Sequence, residues 1–387
     1  MIQWNRSSHS EIEDSIFAIM SKLAFQHQAV NLGQGYPDFD GPSWVKEAAC
    51  KAIMEKPNQY ANMAGIYSLR CALAEKYSVL YGVDYNPDSE IIITNGASEA
   101  LYLTLSALCK PGDEVIIFEP AYDVYAPIIR RAGATPVGVQ LQPPLFSFSV
   151  NNLASSLSKR TRAILINTPH NPTGRVFNSG ELTAIQKMCV QHNLIAITDE
   201  VYEHLIFEGN HISLASLDGM RERTVTISST AKTFSMTGWK IGYILAPAEA
   251  TDLMRKLHQL VCFCVAKPLQ HGMAEAVQNW QRAVTPLMKK LRHNRDLLVQ
   301  GLEDIGFEVF APQGTFFLIA NYAHQSNMKD NDFAVHLIKQ TQGVATIPVS
   351  GFYLNPQKAP QTLLRFCFAK EEETLVEGLA RLKKIMK

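Results

Sequence analysis

The sequence predicts an α/β protein organised on a mostly parallel sheet. Short runs such as Ile91 to Thr94, Glu114 to Phe118, Ala163 to Ile166, Leu194 to Thr198 and Thr224 to Ile227 are largely apolar, as strands covered on both faces are. Segments of helical length and periodicity lie between several of them. Each run ends in small, polar or ionisable residues, at the carboxyl end of a strand where open α/β sheets bind ligands.

Taken in order, Ser15 to Phe25 places Ile16, Phe17, Ile19, Met20 and Leu23 at helical spacing, an amphipathic helix or arm. Asn31 to Phe39 sets Gly33 and Gly35 before Pro37, either a tight turn or a backbone approached closely by something else. Asp40-Gly41-Pro42 opens a helix with Val45, Ala48, Ala49, Ala52 and Ile53 on one face. Asn58-Gln59-Tyr60 ends it in a loop, and a further helix runs from about Gly65 to Tyr81.

After Thr94, Asn95-Gly96-Ala97-Ser98 turns straight into a helix carrying Leu101, Leu105 and Leu108. Such a start is either an ordinary cap or a phosphate cradle, since the first amides are free and lie at the positive end of the helix. Glu119 to Tyr125, Asn167 to Gly174 and Asp199 to Tyr202 follow later strands. A helix covers 179–191, and Ile241 to Leu245 reads as an edge or antiparallel strand. A long helix bearing Leu253, Leu257 and Leu260 leads to the loop Phe263 to Pro268. From about Pro286 the pattern becomes helix, short strands and helix, a smaller α+β unit. The expected division is 1–40 as an N-terminal arm and part of the small domain, 41–285 as the large domain, and 286–387 as the rest of the small one.

At 387 residues the chain exceeds one ordinary core, which fits this division. Lys plus Arg equals Asp plus Glu at 36 each, which argues against nucleic acid or an anionic membrane as partner. The seven scattered cysteines read as free thiols in a reducing compartment, the cytoplasm. None stands at zinc spacing, so no metal site is expected. The N-terminal segment shows no signal peptide, and no spanning helix is evident.

The chemistry concentrates in Ser228 to Gly242. Lys232 lies among Ala231, Phe234, Met236 and Trp239, and desolvation by such neighbours lowers an amine's pKa until it is a nucleophile at neutral pH. Ser229 and Lys240 flank it with a hydroxyl and a fixed charge, the groups an anion needs. An amine poised for a carbonyl beside a phosphate site suggests pyridoxal 5'-phosphate. Asp199, a carboxylate at the end of a buried strand, needs a cation or donor, and a pyridinium N–H is such a partner. The alternative is a surface helix cap. Arg365, inside the apolar run Leu363 to Ala369, wants a carboxylate for its planar fork, from an internal salt bridge or from a ligand.

The pattern Ser229-x-x-Lys232 with Lys240 and Gly242, together with Asn171-Pro172-Thr173-Gly174, resembles the class I/II aminotransferases of fold type I, from about Asn31 to the C-terminal helix. The wording Lys232 to Lys240 is most similar to the branch of methionine aminotransferase and the kynurenine and glutamine transaminases. The resemblance implies a seven-stranded sheet between helices and a smaller α+β domain. It implies that Lys232 binds the cofactor covalently and serves as general base, with Asp199 at the ring nitrogen. Asn171 and Tyr202 would sit at the phenolic oxygen and Tyr122 against the ring. Gly96, Ala97, Ser98, Ser229, Lys240 and Tyr60 would hold the phosphate, Tyr60 from a second subunit of a homodimer. Arg365 would take the substrate α-carboxylate, with Gly35 as an amide donor and Phe17, Tyr36 and Phe263 as pocket walls. His170 is expected to be structural.

Lys240 stands where aspartate aminotransferases have arginine, a point charge in place of a bidentate clamp. With no clear second arginine, the pocket should prefer a neutral thioether, aromatic or amide amino acid, donating its amino group to a 2-oxo acid in a ping-pong cycle. The rivals are a cystathionine or cysteine-S-conjugate β-lyase on the same fold, and a ligand-sensing regulator. The regulator would need an added DNA-binding domain, for which the short acidic N-terminal segment leaves no room.

Overall fold

The computed structural model describes residues 14–386. Its main sheet has seven strands: β1 (Ile91–Asn95), β2 (Glu114–Glu119), β3 (Thr135–Gln140), β4 (Thr161–Asn167), β5 (Ile195–Asp199), β6 (Thr224–Ser229) and β7 (Ile241–Leu245). They lie in the order β1-β7-β6-β5-β4-β2-β3, all parallel except β7, which pairs antiparallel with both β1 and β6. Expected as an edge or antiparallel strand, β7 is antiparallel and lies inside the sheet. Its five residues are all buried, which is why they are apolar throughout.

β3 escaped the sequence reading because Pro136 and Gly138 interrupt its pattern. It is the edge strand, where a missing N–H does least harm to the ladder. A Cβ on Gly138 would press on the Glu119 carboxyl group, 2.6 Å from its carbon, so that side chain would have to shift.

Helices Ser43–Glu55, Tyr67–Tyr81 and Lys267–Gln278 pack together beyond β1. In helix Ala248–Val261 the buried ridge is Thr251, Met254 and His258, while Leu253 is 43% and Leu260 80% exposed. No described helix is long and apolar enough to cross a membrane.

A second, four-stranded antiparallel sheet orders Ile347–Pro348, Leu363–Cys367, Phe317–Asn321 and Glu308–Phe310. The N-terminal helix Ile16–Gln26, capped by Ser15 Oγ accepting from the Ala18 amide at 3.2 Å, joins this part of the molecule. Its Met20 and Ala24 share one core with Leu291, Leu298, Phe316 and Leu375. A short parallel pairing of Val30–Asn31 with Val344–Ala345 then carries the chain past Gly33 and Gly35 towards the main sheet.

Candidate active site

The carboxyl ends of β1, β2, β4, β5 and β6 open on one cavity of about 380 Å³, closed on the far side by Phe317 and Arg365 of the second sheet. Geometry of a parallel sheet alone brings Ser98, Tyr122, Asn171, Asp199, Ser229 and Lys232 to one place.

Ser229 ends β6 and caps the short helix Thr230–Thr233, its Oγ accepting from the Ala231 amide and donating to the Ile241 carbonyl, each at 3.1 Å. That turn throws Lys232 into the cavity. Its Nζ donates to the Gly35 carbonyl at 3.2 Å and lies 5.4 and 5.9 Å from the ring centroids of Phe316 and Tyr202. The side chain is half-buried because its amine opens onto the cavity. Desolvation pushes that amine down to about 8, so an uncharged fraction is present near neutral pH.

Asp199 ends β5 and is buried. Burial pushes its carboxyl up to about 6, while the Tyr125 hydroxyl, donating at 2.7 Å, and the Val201 amide pull it the other way. Asn167 at the end of β4 ties the neighbouring turns together. Its Nδ2 donates to the Asp199 carbonyl at 2.9 Å, and its Oδ1 accepts from the Asn171 amide at 2.6 Å. The Tyr202 ring stands edge-on to Phe316 and Phe317.

Arg365 is fully buried in the strand Leu363–Cys367. Its Nη1 donates to Asn171 Oδ1 at 2.8 Å and its Nη2 to the Gly33 carbonyl at 2.7 Å, while Nε has no partner among the described residues. The guanidinium lies 3.9 Å from the Phe317 and 4.7 Å from the Phe17 ring centroid. Burial pushes it down to about 10. The internal salt bridge left open by the sequence is not formed among the described residues. A cation this buried is costly without an anion, and no described carboxylate forms a salt bridge with it.

At the opposite end of the cavity the chain makes room for its own backbone. Gly96 has φ +80°, and a Cβ there would stand 2.9 Å from Lys240 Nζ. A Cβ on Gly242 would stand 2.6 Å from the Ala97 amide nitrogen. Lys240 itself takes the left-handed conformation at φ 53°, rare for a residue with a Cβ. The result gathers an ammonium, two serine hydroxyls and the start of the helix Ala97–Leu108.

Residues 27–382 match the model of the family described as aminotransferase class I and II. The chain belongs to that family. This aminotransferase is 41% identical to the methionine aminotransferase of Escherichia coli, over 98% of each chain. It superposes on the crystal structure of Escherichia coli YbdL, for which a methionine aminotransferase function was identified, with a TM-score of 0.94 covering 99% of this chain and 100% of that one. It is also 43% identical to a probable N-succinyldiaminopimelate aminotransferase of Mycobacterium tuberculosis over 95% of each, and 36% identical to human kynurenine–oxoglutarate transaminase 3 over 94% and 86%.

The family depends on pyridoxal 5'-phosphate, and the residues present fit it. The Gly96 and Gly242 cradle beside Lys240 suits a phosphate, the Lys232 amine, lowered by desolvation, suits an aldehyde, and the Asp199 carboxylate suits a ring N–H.

Of the sequence-predicted residues, Phe17, Gly35, Tyr36, Gly96, Ala97, Ser98, Tyr122, Asn171, Asp199, Tyr202, Ser229, Lys232, Lys240 and Arg365 all line the cavity of the aminotransferase. Tyr60 and Phe263 do not. They pack edge-on against each other at 5.2 Å on the surface, with Tyr60 81% exposed. His170 also stays outside, its Nδ1 at 2.8 Å from the Thr173 hydroxyl and its ring pushed down to about 3 by burial. Sequence reasoning missed Tyr125, Asn167, Asp123 and Phe317. The first three stand within quoted strand-end segments, and position at a strand end was their only signal.

Proposed function

We propose that this aminotransferase moves the α-amino group of a neutral L-amino acid, methionine foremost, to a 2-oxo acid. The observation that carries the reading is the charge inventory of the cavity. Its cations are Lys232, Lys240 and Arg365. With the first two engaged by the cofactor, Arg365 is left for one α-carboxylate. The remaining wall is largely aromatic: Phe17, Tyr36, Tyr122 and Phe317. A thioether suits such a wall, since sulfur makes favourable contacts at ring edges. A substrate with several carboxylates finds no further cation among the described residues that line the cavity.

In this reading the cofactor, when bound, supplies a ring that accepts the electron pair released at the substrate Cα. Lys232 holds the cofactor between turnovers and, once free, its Nζ takes the Cα proton. Asp199, steadied by Tyr125, would hold a proton on the ring nitrogen. Tyr202, Asn171 and Tyr122 would help to hold the ring. Ser98, Ser229, Lys240 and the amides after Gly96 hold the phosphate. Arg365 fixes the α-carboxylate so that Cα lies near Lys232.

The same reading makes the enzyme a homodimer. Tyr60, Phe263 and the exposed Leu260 supply apolar surface that a second copy would cover, with Tyr60 and Phe263 reaching the partner's cavity. It also divides the chain into a large cofactor domain at 41–285 and a small domain from 1–40 with 286–387. The core shared by Met20, Leu32, Leu298 and Leu375 supports that division. Seven free cysteines fit the cytoplasm.

Purified enzyme given methionine and a 2-oxo acid should yield the 2-oxo acid of methionine and the new amino acid in equal amounts. Pyruvate and ammonia from cystathionine without any acceptor, and no transfer from methionine, would replace this reading with a β-lyase.

A further inference from the structure

Asp123 is a carboxylate in the catalytic cavity for which the chemistry above has no use. It follows Tyr122 in the turn after β2 and lines the cavity. Its Oδ1 is buried and has no hydrogen-bond partner among the described residues. A buried carboxylate oxygen left unpaired is costly, so its retention asks for a reason.

Tyr122 next to it stands 6.3 Å from Phe17, ring to ring, and Phe17 lies under the Arg365 guanidinium at 4.7 Å. These contacts place Asp123 at the Arg365 end of the cavity. Burial pushes its carboxyl up to about 6, while the Arg365 charge and the Asp123 and Val124 amides pull it back. An amino acid held by its α-carboxylate on Arg365 must send its side chain along the walls at this end.

We propose that Asp123 is a specificity-determining residue that rejects substrates carrying a second carboxylate, in the donor and the acceptor alike. The proposal rests on the neutral-substrate reading above and gives it an active device in place of a missing arginine. Two like charges a few ångströms apart in a partly desolvated cavity repel enough to change binding by tenfold or more. A side chain with an N–H donor, by contrast, can satisfy the orphaned oxygen. Glutamine and glutamate differ in that single respect and nearly share a shape, so they are the probes of choice. Both half-reactions use the same pocket, so the acceptor should be sorted by the same rule.

The experiment compares kcat/KM of the wild-type holoenzyme and of Asp123→Asn and Asp123→Ser for glutamine, glutamate and methionine, with one fixed monocarboxylic 2-oxo acid. The wild type is expected to favour glutamine over glutamate strongly. That ratio should fall about tenfold or more in both variants, chiefly through gain on glutamate. A ratio unchanged within about twofold in variants that still turn over methionine overturns the role of Asp123, while leaving the neutral-substrate reading intact. A wild type that prefers glutamate overturns both. A wild type that turns over neither methionine nor glutamine defeats the substrate reading and the proposal together. If the variants bind cofactor poorly, the same ratio is read from the wild type as competition by 2-oxoglutarate against a monocarboxylic acceptor, where strong competition overturns the proposal.

Discussion

Two lysines lie under the turn Asp199 to Glu203, and the contrast between them separates catalytic burial from structural burial. Lys232 meets a carbonyl and aromatic rings, and desolvation pushes its amine down to about 8. Lys76 is buried as well, and burial again pushes it down. Here the Glu203 charge at 2.7 Å and the Tyr243 hydroxyl at 3.0 Å outweigh that, so its net shift is upward. Glu203 in turn accepts from Ser228 at 2.9 Å, Tyr243 at 2.9 Å and Tyr81 at 2.8 Å. Burial presses its carboxyl up, but the Lys76 charge holds it well below the usual carboxylate range. Burial pushes both amines the same way, and the partner decides whether the result is a reactive group or a rivet.

The sharpest way to break this contrast is to remove each amine. Lys232→Ala should lower kcat by on the order of 10⁴-fold or more, since a proton-transfer group and the covalent anchor go together. Lys76→Met strands Glu203 as a lone buried charge, which should cost about 3–5 kcal/mol of stability. Its folded holoenzyme should keep most of its turnover. Steady-state kinetics beside denaturant unfolding would show it, and an equal loss of kcat in both variants would erase the distinction.

A smaller effect sharpens the comparison through pH. Glu203 has a depressed folded pKa, so it contributes stability above about 4.5, lost as pH falls towards its folded value. Glu203→Gln should therefore be less stable than the wild type by about 3 kcal/mol at neutral pH, with the gap closing in acid. Lys232 has the opposite sign. In cofactor-free protein its amine, near 8 folded and 10.5 unfolded, makes stability rise with pH across that interval. Unfolding curves at several pH values measure both slopes, and a gap for Glu203→Gln that widens in acid would contradict the assignment.

The two lysines also show how far the sequence could be read. Lys232 was legible because strand ends converge by the rules of parallel sheets, although the rings beside its amine, Phe316 and Tyr202, are distant in the chain rather than the nearby Phe234 and Met236. Lys76 was invisible: its helix shows only an amphipathic surface, and its partners Glu203 and Tyr243 come from two distant segments. The same holds for Arg365, legible as a charge in an apolar strand, and Asp123, hidden in a turn where an acid is ordinary.

The smallest expected effect concerns Tyr125, which stands to Asp199 as Tyr81 stands to Glu203: a hydroxyl donating to a buried carboxylate, at 2.7 and 2.8 Å. A hydrogen bond to a charged group contributes about 1.5–3 kcal/mol, but a carboxylate with other donors loses only part of that. Tyr125→Phe removes the donor while keeping the ring that packs against Tyr122 at 5.6 Å. Asp199 is already raised by burial, and Tyr125 lowers it, so losing the hydroxyl raises it further. The acid limb of the pH–rate profile should then move to higher pH, with kcat at neutral pH falling about tenfold. Tyr81→Phe should leave that limb in place, because Glu203 is held low chiefly by Lys76 and does not face the cavity. Were both variants to shift the limb equally, the two carboxylates would be one coupled network and the line between reactive and structural burial would have to be redrawn.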